Sequence, residues 1–179
     1  MQALDEERLI GVLKCEDLRL LRVEWLLGQP VGYRLQRRQE LEELERADQG
    51  LSPLLTGPEA VALIRNGNRG VGALSYGWLL PWDPDPMGAR MTLLRGALSE
   101  WPHIKALFWD QATLYQPPRT QDEEKKFRRA LHVMMDLYAS AIGTTCAGCA
   151  TAHPAYSILR VNSARLAECF RSKTSRIVQ

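Results

Sequence analysis

Residues 71–79 read Val-Gly-Ala-Leu-Ser-Tyr-Gly-Trp-Leu, and residues 104–110 read Ile-Lys-Ala-Leu-Phe-Trp-Asp. The first run carries no charge, and the second carries only Lys105 before its closing Asp110. Short apolar runs between turn signals suit strands buried on both faces, as in a parallel sheet. Between them Met91, Leu94, Ala97, Leu98 and Trp101 recur at helical spacing until Pro102 ends the pattern. The expectation is therefore strand, helix, strand. Ahead of that helix, Pro81, Asp83, Pro84, Asp85 and Pro86 form a rigid loop, with Asp85 expected as the cap and Pro86 at the first helical position.

Downstream, Thr120 and Glu123 repeat the capping-box pattern, and Phe127, Ala130, Leu131, Met134, Leu137, Tyr138 and Ala141 follow at steps of three and four. Lys125, Lys126, Arg128 and Arg129 are expected to face water, and residues 142–149 to begin a third strand. Upstream, Thr56 and Glu59 open a short helix that stops at Asn66 and Gly67. Residues 1–54 read as a helical extension of two helices, the second spanning about Tyr33 to Ala47 and solvated on most of its surface. Alternating strands and helices over 55–150 argue for a small parallel sheet flanked by helices. Residues 151–179 read as an irregular basic tail.

The chain has 179 residues, 45% of them hydrophobic, which suits one domain with a core and excludes disorder over the whole length. Lysine and arginine number 23 against 21 acids, a net charge of +2, which argues against a nucleic-acid binder. The acidic start at Asp5, Glu6 and Glu7 does not resemble a secretory signal, and the uncharged run from Leu137 to Leu159 is too polar and broken to cross a membrane. The four cysteines are then expected as reduced thiols, and the expected address is the cytosol or nucleus.

The run Gly72 to Trp78 resembles the opening motif of heterokaryon-incompatibility (HET) domains. So does Leu107 to Gln116, an apolar strand ending in Trp-Asp and followed by a short loop closed by Gln. The helix Glu123 to Ala141, with Met-x-x-Leu-Tyr-Ala-Ser near its end, is similar to that family's third element. The resemblance covers about residues 71–145. It implies the fold of Toll/interleukin-1 receptor (TIR) domains, a flavodoxin-like parallel sheet, and an intracellular signalling or self-association domain with a protein partner. Some relatives cleave NAD, so NAD is implied as a possible substrate. Those enzymes use a glutamate on a helix after the third strand, often near a Trp-Cys pair. Residues 146–179 contain no Trp and one acid, Glu168, so the preferred reading is non-catalytic and the alternative is an NAD glycohydrolase.

Candidate residues follow from placement. Asp110, at a strand end, can orient a ribose hydroxyl or hold its loop by accepting backbone N–H groups. Ser75, Tyr76 and Trp78 lie near the end of the other strand and can line the same crevice, although Tyr76 and Trp78, like Trp109, also suit packing. Glu123 is first a helix cap and second a candidate carboxylate. Cys146, Cys149, His153 and Cys169 provide the ligand types of a tetrahedral zinc site, a third and weaker reading that rests on one Cys-x-x-Cys spacing. Neither a nucleophile elbow nor a phosphate loop is present.

Overall fold

The computed structural model describes residues 2–47, 50–67, 69–75, 85–138 and 144–148. Among them the chain forms a mixed α/β fold. The helices are α1 (Gln2–Lys14), α2 (Val23–Gly28), α3 (Arg38–Ala47), α4 (Gly57–Arg65), α5 (Ala89–Glu100), α6 (Asp110–Thr113) and α7 (Gln121–Tyr138). The strands are β1 (Leu21–Arg22), β2 (Val71–Ser75), β3 (Ala106–Phe108) and β4 (Thr144–Gly148), in the order β1-β3-β2-β4.

The two apolar runs at 71–79 and 104–110 supply strands that lie side by side in the same direction. β2 pairs parallel with β3, Val71 opposite Ala106, Gly72 opposite Leu107 and Ala73 opposite Phe108. β4 pairs parallel with the other edge of β2, from Val71 opposite Thr144 to Ser75 opposite Gly148. Side chains alternate between the faces of a strand. Val71, Ala73, Ala106 and Phe108 therefore share one core with residues of α1, α4 and α7. Leu74 and Leu107 join the opposite core with residues of α2, α3 and α5. The sheet is thus covered on both faces, which is why its strands read as continuous apolar runs rather than alternating ones.

The segment before residue 55 is built into this sheet and both cores. Leu9, Leu13, Leu18 and Leu20 are buried, and β1 adds an antiparallel edge to β3. Among its described residues the region holds three helices and a short strand where two helices were expected. Glu16, at φ 54°, turns the chain out of α1, and the helix of 33–47 begins only at Arg38. Gly57 lets α1 and α4 approach closely, since a Cβ there would lie 2.8 Å from the Leu13 carbonyl oxygen.

Arginines tie these segments together. Arg38, 1% exposed, donates to the carbonyl oxygens of Glu16 (2.6 Å), Asp17 (2.7 Å) and Thr113 (3.2 Å) and to the Glu42 carboxylate (2.8 Å). Arg19 grips Glu45 through both terminal nitrogens and donates to the Leu55 carbonyl at 3.2 Å. Arg129 does not simply face water: it pairs with buried Asp17 at 2.5 and 2.7 Å, joining α7 to the turn after α1. Such charge-assisted bonds are stronger than neutral ones.

Candidate functional site

In open α/β sheets, ligands gather beyond the carboxyl ends of the strands, where the strand order reverses. Here the chain leaves β2 for β3 on one side and returns as β4 on the other, so the reversal falls between Ser75 of β2 and Gly148 of β4. Asp110 follows the end of β3, one residue beyond Trp109. The structure therefore places Ser75 and Asp110 at the same end of the sheet.

Around Asp110 the local geometry is a braced turn. Its Oδ1 accepts the Gln111 N–H at 2.8 Å, and its carbonyl accepts the Leu114 N–H and the Gln116 side-chain amide at 2.9 Å. The Gln116 amide also donates to the Leu114 carbonyl at 3.0 Å. Gln39 of α3 exchanges two hydrogen bonds with the Gln116 backbone, donating to its carbonyl at 2.6 Å and accepting its N–H at 3.2 Å. The Trp-Asp and Gln of the sequence motif thus belong to one hydrogen-bonded loop docked on α3. Trp109 is 1% exposed and packs in the core with Leu107 and Ala112.

Glu123 caps α7. Its carboxylate accepts the Thr120 N–H at 2.7 Å, while the Thr120 hydroxyl accepts the Glu123 N–H at 3.3 Å. Next to it, Glu124 takes both Arg128 and Arg119, and the Arg128 hydrogen bond, followed by that of Arg119, holds its carboxyl below the ordinary 4.5. A shallow depression of about 600 Å³ is lined by these three side chains with Thr120, Gln121 and Lys125.

Sequence reasoning missed the pairing of Arg38 with Tyr115. The guanidinium carbon stands 3.8 Å from the ring centroid, and the phenol donates to Glu42 at 3.1 Å. Burial, with Glu42 nearby, pushes the Tyr115 hydroxyl above its ordinary value. Among the described residues Glu42, four residues on, is the one local partner of the arginine; Tyr115 and the carbonyls of Asp17 and Thr113 come from distant segments that no local pattern marks.

Tyr76, Trp78, Cys149, His153, Glu168 and Cys169 lie outside the described residues. Cys146 stands in β4 opposite Ala73. Among the described residues, no group of three or more His, Cys, Asp or Glu side chains is arranged to hold a metal ion, and no helix is long and apolar enough to cross a membrane. No protein-family model, curated protein or solved structure matches this chain.

Proposed function

We propose that the chain is a HET/TIR-like signalling domain of flavodoxin-like type that works inside the cell through self-association rather than through catalysis. The strand order β3-β2-β4 supports the fold part of this reading, because it follows the 2-1-3 order in which flavodoxin-like sheets begin. One observation supports the non-catalytic part. Both candidate carboxylates among the described residues accept backbone N–H groups, Asp110 from Gln111 and Glu123 from Thr120. A carboxylate engaged in shaping a turn or a helix end is poorly placed to stabilise positive charge developing on a ribose.

The alternative, an NAD glycohydrolase, draws support from the reversal of strand order between Ser75 and Gly148, the place where such sheets take dinucleotides. One pair of measurements separates the two. The preferred reading expects purified protein to gain mass with concentration in sedimentation and to release no nicotinamide from NAD above a protein-free blank. Release abolished by Asp110→Asn, with the fold intact, replaces it by the enzyme.

A further inference from the structure

Ser52 lies in the connection between α3 and α4, and it is the one serine or threonine of the chain followed directly by proline, Pro53. A hydroxyl in that sequence setting is the acceptor that proline-directed protein kinases modify. Gly50 and Leu51 ahead of it are exposed, and Ser52 itself is partly exposed.

Two arginines and one carboxylate converge on this serine. Ser52 Oγ lies within hydrogen-bonding distance of Glu45 Oε1 on α3 and of the Leu54 carbonyl oxygen (2.7 Å), and it accepts the Leu54 N–H at 3.2 Å. Arg19 reaches the same two acceptors, its Nη2 donating to Glu45 Oε1 at 2.9 Å and to the Leu54 carbonyl at 3.4 Å. Sharing both acceptors places that guanidinium beside Ser52 Oγ. Arg19 is also held independently of Glu45, because its Nε donates to the Leu55 carbonyl at 3.2 Å. Arg22 donates from Nε to the Ser52 carbonyl at 3.1 Å and from Nη2 to Glu59.

We propose that Ser52 is a phosphorylation site and that its phosphoryl group takes Arg19 away from Glu45. Transfer needs residues 50–53 to lift from Glu45 and Arg22, a local opening rather than unfolding of the chain. The kinase supplies a nucleoside triphosphate. Ser52 Oγ attacks the γ-phosphorus, and the Oγ–P bond forms as the bond to the bridging oxygen of the β-phosphate breaks. The hydroxyl proton goes to a base of the kinase, and the nucleoside diphosphate leaves with the electron pair. A near-dianion with three acceptor oxygens then stands where a hydroxyl stood. It repels the Glu45 carboxylate and suits the planar fork of Arg19. The last turn of α3, Glu43 to Ala47, thereby loses its tie to Arg19, while Arg38 still fastens the start of the helix to Asp17 and Thr113. This site does not depend on the self-association reading.

The test treats the folded full chain with adenosine triphosphate and a proline-directed kinase already shown to modify a peptide of residues 47–57, which contains no lysine or arginine. Mass spectrometry is expected to find phosphate on Ser52 of the chain. In phosphorus magnetic resonance, the second ionisation of that phosphoryl group is expected at a pH lower by about one than in the phosphorylated peptide, because Arg19 favours the dianion. Amide hydrogen exchange over Glu43 to Ala47 is expected to quicken by about tenfold or more, with Arg38 to Leu41 unchanged. A kinase that modifies the peptide but leaves Ser52 of the folded chain untouched overturns the site. A modified chain whose phosphoryl group ionises as in the peptide, or whose α3 exchanges at the unmodified rate, overturns the exchange of partners at Arg19.

Discussion

Replacing Arg38 by methionine removes a buried guanidinium that donates to three main-chain carbonyls and one carboxylate and stacks on Tyr115. Each hydrogen bond to a charged group contributes about 1.5–3 kcal/mol, but the four share one side chain and do not add. Methionine recovers the apolar contact with the ring. The carbonyls of Glu16, Asp17 and Thr113 and the carboxylate of Glu42 lose their shared donor at the same time. The expected cost is about 3–5 kcal/mol, the range for breaking a buried charged pair from one side. Urea unfolding followed by circular dichroism measures it as a lower midpoint with unchanged slope. Arg38→Lys keeps the charge without the planar fork, so its midpoint should fall between the two. Arg128→Ala, which removes an exposed pair with Glu124, should leave the midpoint unchanged. A loss below about 1 kcal/mol for Arg38→Met would refute the view that this arginine binds the amino-terminal segments to the sheet.

Other expectations follow from the same contacts. Gly57→Ala presses a methyl against the Leu13 carbonyl and should cost about 1–3 kcal/mol in thermal unfolding. Thr56→Ala removes the capping box of α4 and should cost about 1 kcal/mol by the same assay. The Arg19 hydrogen bond, with a second from Ser52, holds the Glu45 carboxyl below its ordinary 4.5 despite partial burial. Its folded value is thus below its unfolded one, so the stabilisation is fully present above about pH 4.5 and is lost as pH falls through the folded value. Glu45→Gln should flatten that acid limb in unfolding midpoints measured across pH.

The parallel strands were readable because burial on both faces removes charge from a strand, and Val71 to Ser75 and Ala106 to Phe108 keep that mark. The two capping boxes were equally readable, since Thr56 with Glu59 and Thr120 with Glu123 are local arrangements. What sequence pattern missed was long-range. β1 is two residues long and includes an arginine, so no run announces it. Arg19, Arg38 and Asp17 look like surface residues in a charged stretch, yet each is at most 6% exposed, because its partner comes from a distant element. The start of α5 was misplaced because Asp85 caps it across a glycine turn instead of adjoining its first residue. At the candidate site, both the position of Asp110 at a strand end and its acceptance of a loop N–H were legible, whereas the choice of the Gln111 N–H depended on the α6 turn.

The fold depends on β2 running parallel between β3 and β4, and nuclear Overhauser contacts between backbone protons of isotope-labelled protein test this directly. Parallel pairing places contacts in step, with Val71 near both Ala106 and Thr144 and Ala73 near both Phe108 and Cys146. Contacts running in opposite order, such as Val71 near Phe108 and Ala73 near Ala106, would contradict the fold, the location of the site and the self-association reading built on them.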